Sequence, residues 1–313
     1  MEKQALGQAI SSVAAFILLA LPGYIFTRKK WLTGRQVEGL SSVLVNYLWP
    51  VMVLDAMART QRSAELAKLA AGAGVWALAV ILLGGACAWI WTKAGKMKQV
   101  PGNILVFAAA FANTGLIGMP LIRLLLGQEA LFLAAIMEVV NDVLIFTVGI
   151  LLIQSGCGCR RQAALGGLLS PGLGAVALGL LLFASGLTLP GVLLDVLDMA
   201  AAAAAPMVLF LVGAQLGESD LPALLRDGRA WGMAALRLVL VPGLTLLLWR
   251  LLAGELTEAG QTIVLLSAMP SGTCCALFTR QYGGDWQLAT RCVMLSTLLC
   301  AATVPLWLIV TIL

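Results

Sequence analysis

At 313 residues, with 61% hydrophobic side chains, 11% charged ones and a mean hydropathy of +0.98, the chain is too apolar for a water-soluble domain, so lipid must be part of its solvent. The net charge of +5 lies in short clusters between apolar runs rather than on one face, which excludes a nucleic-acid surface. Histidine is absent, which excludes His-based catalysis, His metal sites and a His pH switch, and leaves proton handling to carboxylates.

A helix that crosses the hydrocarbon core needs about 20 mostly apolar residues. That length predicts ten spans, at about 5–26, 37–58, 66–91, 100–123, 129–154, 163–186, 191–216, 230–252, 259–279 and 286–312. The first span shows no small-residue cleavage site and is expected to be retained. Thirteen basic residues (Arg28, Lys29, Lys30, Arg35, Lys93, Lys96, Lys98, Arg160, Arg161, Arg226, Arg229, Arg280, Arg291) fall in one set of alternate loops, and six (Lys3, Arg59, Arg62, Lys68, Arg123, Arg250) in the other. The positive-inside rule then puts the first set in the cytoplasm and both termini on the non-cytoplasmic side of an inner (plasma) membrane.

Span two carries Asn46-x-x-x-Pro50, then Asp55 with Arg59 at i+4, a spacing that predicts a structural ion pair. Span four is interrupted: Asn113 and Thr114 are followed by Gly115, Gly118 and Pro120 in mid-membrane, and the ring of Pro120 displaces the carbonyl of Leu116. Arg123 and Arg291, near span ends, are expected to snorkel to water. In span five, Glu138, Asn141 and Asp142 stand at i, i+3 and i+4 and share one face. That face is costly against lipid, and two readings stay open: a cation or proton site, or a buried polar network with Arg237 of span eight as one partner. Cys157-Gly-Cys159, beside Arg160 and Arg161, lacks the further ligands a metal needs, and most other cysteines sit in apolar runs as small hydrophobes. Span nine is interrupted like span four, with Pro270 followed by Ser271, Gly272 and Thr273. Trp31, Trp49, Trp89, Trp91, Trp231 and Trp249 lie towards span ends, where interfacial anchors belong.

The chain also resembles itself at a shift of 156 residues. Pro50–Leu54 falls on Pro206–Phe210 and Gly127 on Gly283, and outside that register Leu21-Pro22-Gly23 is similar to Leu189-Pro190-Gly191. Five spans per repeat is an odd number, so residues 157–313 must lie upside down relative to residues 1–156. Inverted repeats recur in secondary transporters, and Gly/Pro-broken spans at matching positions point to the solute site. Where two breaks cross, bare N–H groups at half-helix starts suit an anion and bare carbonyls suit a cation. The candidate substrate-binding residues are Asn113, Thr114, Gly115, Pro120, Pro270, Ser271, Gly272 and Thr273, with Glu138, Asn141 and Asp142 for ion or proton coupling. Simple kinks, with Asn or Ser bonded to a neighbouring helix, are the structural alternative.

Asn46-x-x-x-Pro50, Asn113-Thr114 with Gly118-x-Pro120, and Pro270-Ser271-Gly272 followed by Phe278-Thr279-Arg280-Gln281-Tyr282-Gly283 resemble, in that order, signatures of the auxin efflux carrier family. The resemblance covers essentially the whole chain. It implies an all-α polytopic membrane protein of ten transmembrane helices in two inverted five-helix repeats, with broken, crossing helices four and nine. It also implies a dimerising scaffold of spans one, two, six and seven, and a mobile transport domain of spans three to five and eight to ten. Family members export auxin or move small carboxylates such as malonate or malate, and the family's binding Asn and ninth-span Pro correspond to Asn113 and Pro270. Plant carriers have Gln and Pro where this chain has Ser271 and Cys275, and they have a long loop where only about ten residues separate spans five and six here. A compact prokaryotic-type carrier fits better than an auxin carrier.

Together these features predict a secondary transporter of a small organic anion, working by alternating access. Its expected partners are the lipid bilayer and a second copy of the chain, with no nucleic acid, no metal, and no cofactor beyond Na+ or H+ as coupling ion. The alternatives are a cation-coupled symporter of a neutral or bile-acid-like solute, and a receptor or channel on the same scaffold. An intramembrane enzyme would need a nucleophile with its base or a set of metal ligands, and neither an HExxH motif nor a base for Ser271 is evident.

Overall fold

The computed structural model describes residues 18–60, 64–157, 171–218 and 221–312. The start of span one, the first part of span six, and Lys3, Arg62, Cys159, Arg160 and Arg161 lie outside the described residues. The first half holds α1 (18–28), α2 (Gly34–Arg59), α3 (Glu65–Ala94), α4 (Gln99–Ala110), α5 (Thr114–Leu126) and α6 (Gln128–Ser155). The second holds α7 (Pro171–Ser185), α8 (Gly191–Glu218), α9 (Leu221–Arg226), α10 (Gly228–Ala253), α11 (Glu258–Ser267), α12 (Cys274–Gln281) and α13 (Trp286–Thr311). Six of these, α2, α3, α6, α8, α10 and α13, are long and apolar enough to cross a membrane. Predicted spans four and nine are each two short helices separated by non-helical residues.

Proline shapes several of these helices without ending them. One turn widens at 44–48 just before Pro50, at 114–118 before Pro120, and at 236–240 before Pro242. Proline offers no N–H and its ring crowds the carbonyl four residues back, so a wider turn lets the helix continue. In α10 the carbonyl so freed is that of Leu238, and it accepts the indole N–H of Trp307 in α13 at 2.8 Å.

α2 lies on α7 and α8, while α3 lies on α4 and α6, and α10 and α12 lie on α13. Trp31, Trp89 and Trp231 are exposed, as interfacial anchors should be. Trp49 and Trp249 are instead buried: Trp49 donates to the Met119 sulfur at 3.2 Å and Trp249 to the Glu255 carbonyl at 3.1 Å. Gly127 and Gly283, superposed by the 156-residue shift, both take positive φ, 87° and 75°. The Leu-Pro-Gly similarity does not extend to structure, because Pro22 and Gly23 are inside α1 whereas Pro190 precedes α8.

Candidate functional site

The two breaks meet. Between α4 and α5, and between α11 and α12, extended residues pair as a short antiparallel bridge with Ala112 opposite Ser271. Asn113 N–H donates to the Pro270 carbonyl at 2.8 Å, and Gly272 N–H donates to the Phe111 carbonyl at 2.9 Å. Peptide groups left bare in lipid are costly, and here each break supplies partners for the other. Ser271 fastens the joint: its N–H donates to Ser296 Oγ at 3.1 Å and its hydroxyl to the Ala108 carbonyl at 2.6 Å.

A cavity of about 700 Å³ reaches this crossing from one face. Deep in it lie Asn113, Gly115, Glu138, Asn141, Gly272 and Thr273, and at its mouth lie exposed Glu38, Glu218 and Arg280. The mouth is formed by the ends of α2, α8 and α12 that lie near Arg28, Lys29, Lys30, Arg226 and Arg280 in the chain. Asn113 is 6% exposed and its Nδ2 has no protein partner. An unmade hydrogen bond at a buried amide costs about 1–3 kcal/mol, which an acceptor on a solute would offset.

Glu138, from α6, sets its carboxyl against the beginning of α5. Its carboxyl accepts a short hydrogen bond from the Thr114 hydroxyl, and Thr114 Oγ1 accepts from Asn141 Nδ2 at 3.2 Å. A Cβ at residue 115 would sit 2.4 Å from Glu138 Oε1, so glycine leaves the space that the carboxyl takes. The half-helix start expected to meet a solute anion is thus already faced by a carboxyl of the protein. The start of α12, at Thr273 and Cys274, also lines the cavity.

The shared face predicted in span five is present, with Glu138 and Asn141 buried and Asp142 half-buried on the cavity wall. Arg237 is not its partner. Its guanidinium, buried to 1% exposure, donates from Nε to the Met269 carbonyl and from Nη1 to the Ala109 carbonyl, both at 3.0 Å.

Of the eight residues expected to bind a solute, Asn113, Gly115, Gly272 and Thr273 line the cavity. Thr114 and Ser271 do not line it: their hydroxyls turn to Glu138 and to the Ala108 carbonyl. Pro120 is buried in the first turns of α5, and Pro270 gives its carbonyl to the joint.

At the opposite face an ionic cluster replaces the snorkelling expected of Arg123. Arg123 Nη2 pairs with Asp198 at 2.6 Å and with Asp55 at 3.3 Å. Asp55, fully buried, also holds Arg59 at 2.7 Å, as its i+4 spacing predicted, and accepts from Gln128 Nε2 at 3.0 Å. The cluster ties α2, α5, α6 and α8 together. Arg291 likewise pairs, with Asp227 at 2.9 Å. Only the Asp55–Arg59 part carried a local spacing signal; the other partners come from distant helices.

A family profile described as membrane transport protein matches residues 8–160 and 159–308. An uncharacterized transporter of Methanothermobacter thermautotrophicus is 25% identical over 310 residues, which cover 96% of this chain and 97% of that protein.

Proposed function

The chain belongs to the membrane transport protein family, the auxin-efflux-carrier-like group its motifs resemble, and on that footing we propose that it is a secondary carrier of a small organic anion working by alternating access. One observation carries the substrate assignment: Asn113, whose buried side-chain donor has no protein partner, lines a deep cavity beside the N-terminal end of α12. In this reading α1, α2, α7 and α8 form the scaffold through which two copies pair, and α3–α6 with α10–α13 form the moving part. The positive φ shared by Gly127 and Gly283 supports the inverted repeat. The excess of basic residues beside the cavity mouth supports a cytoplasmic mouth and both termini outside. The cluster at Asp55, Arg123 and Asp198 then closes the outer path.

Counterflow of radiolabelled malonate and malate in proteoliposomes tests the assignment. Asn113→Ala is expected to lower exchange more than about tenfold, the effect of roughly 1.4 kcal/mol, while its size-exclusion profile stays that of the parent. Near-normal exchange by that variant would refute the role of Asn113.

A second reading is favoured by the charge of the cavity. Among the described residues, Glu38, Glu138, Asp142 and Glu218 line it, with Arg280 the one basic residue. A solute bearing both a carboxylate and a cationic group would satisfy Asn113 at one end and the acidic wall at the other. Counterflow by neutral amino acids, with none by malonate or malate, would select it.

A further inference from the structure

α4 and α11 both end at the crossing, and each presents there a negative pole of about half a charge. Two such poles amount to about one negative charge within the membrane, the place where carriers with broken helices hold a coupling cation. In this chain a side chain reaches it. From the wide turn of α10, Arg237 bonds the Ala109 carbonyl in the last turn of α4 and the Met269 carbonyl two residues beyond α11. One guanidinium therefore spans both ends.

Among the described residues the ion pairs are made by Asp55, Asp198 and Asp227, and none involves Arg237. A guanidinium buried in a membrane without counter-charge would be strongly unfavourable, so the two helix ends are its counter-charge. Next to it a void of about 20 Å³, also lined by Thr114, Asn141 and Ser267, has room for about one water.

We propose that Arg237 is the resident cation of the crossing, a positioning residue that joins the two half-helix ends and stands where other carriers place sodium, so that sodium neither binds there nor drives transport. The statement about transport rests on the carrier reading above; the statement about binding does not, and the two are separable by experiment.

Thermal unfolding of the purified full-length protein in detergent reads the binding. The melting temperature of the parent is expected to stay unchanged when sodium replaces N-methylglucamine at constant ionic strength. Arg237→Ala should melt lower by about 5 °C or more, Arg237→Lys should retain part of the difference, and dilute guanidinium should restore part of it to Arg237→Ala alone. A sodium-specific rise for the parent, an Arg237→Ala variant that melts like the parent, or one deaf to guanidinium would each overturn the assignment. If Arg237→Ala does not fold, the sodium series on the parent and on Arg237→Lys decides by the same criterion. Malonate counterflow, equal in sodium and in N-methylglucamine, is the second expectation, and a sodium requirement would overturn it. Melting as expected with no malonate or malate exchange at all would count against the carried solute and leave Arg237 in place.

Discussion

At position 115 a hydrogen in place of a side chain lets Glu138 set its carboxyl against the first turn of α5, in reach of the Thr114 hydroxyl. Gly115→Ala should therefore destabilise the fold by about 1–3 kcal/mol, the usual cost of overpacking, and Glu138→Ala added to it should recover part of the loss. Melting temperatures of the four chains check this, and strictly additive effects would mean that the two residues do not share the space. Glu138→Gln keeps shape and removes charge. If Glu138 carries a coupling proton, this variant should still exchange solute but should no longer respond to an imposed pH gradient; an unaltered response would take Glu138 off the coupling path. Asn113 and Pro270 were legible in the sequence because an amide or an imino acid stands out in an apolar run. Arg237, one possible partner of the span-five carboxylates by sequence, was harder to place. Its partners are peptide carbonyls, which a sequence displays at every position and marks at none.

Among the elements, α2, α5, α6 and α8 are held together at one end by Asp55, Arg123, Asp198 and Gln128. If this cluster is the closed outer gate, Arg123→Ala should shift the population away from the cavity-open form. In a background where Cys274, which lines the cavity, is the only cysteine, its labelling by a maleimide from the cavity side should fall about fivefold, the effect of about 1 kcal/mol. Unchanged labelling would reduce the cluster to a fixed strut. Asp227, ahead of α10, makes a different kind of tie: it accepts the Arg229 N–H at 3.0 Å and pairs with Arg291 of α13. Burial raises its carboxyl, but the hydrogen bonds from Arg229 and Arg291 outweigh that and hold it below the ordinary range. A depressed carboxyl stabilises the fold above its unfolded-state value, and the contribution fades as pH falls through the folded one. Asp227→Asn should accordingly melt below the parent at neutral pH and converge with it in acid. Hydropathy predicted a single span over 100–123 and over 259–279, yet each stretch makes two short helices. Apolar content sets depth in the bilayer, whereas proline and glycine decide whether a helix runs through.

Across the whole molecule, a multi-pass helical membrane protein was readable because the bilayer imposes one ruler, and among the described residues six helices meet it. Which spans touch was not, since lipid and protein interior ask for the same side chains. That gap bears on the second copy. Val192 on α8 and Leu251 on α10 are similarly exposed, at 74% and 71%. If two copies pair through the scaffold, a cysteine at Val192 should cross-link between chains in native membranes and one at Leu251 should not. Equal cross-linking at both would point to random collision.

The seam at Ala112 and Ser271 is written in main-chain atoms, two peptide N–H groups each answered by a peptide oxygen. Those two bonds do not depend on which side chains stand at positions 112, 113 and 272, although the Ser271 hydroxyl adds a side-chain tie to the Ala108 carbonyl. If Asn113 and Thr273 contact the carried solute, exchanging them would retune what is recognised while these two main-chain bonds stay in place. On the carrier reading, selectivity and mechanical integrity are then stored in different atoms, and new specificities could be built on this scaffold one substitution at a time.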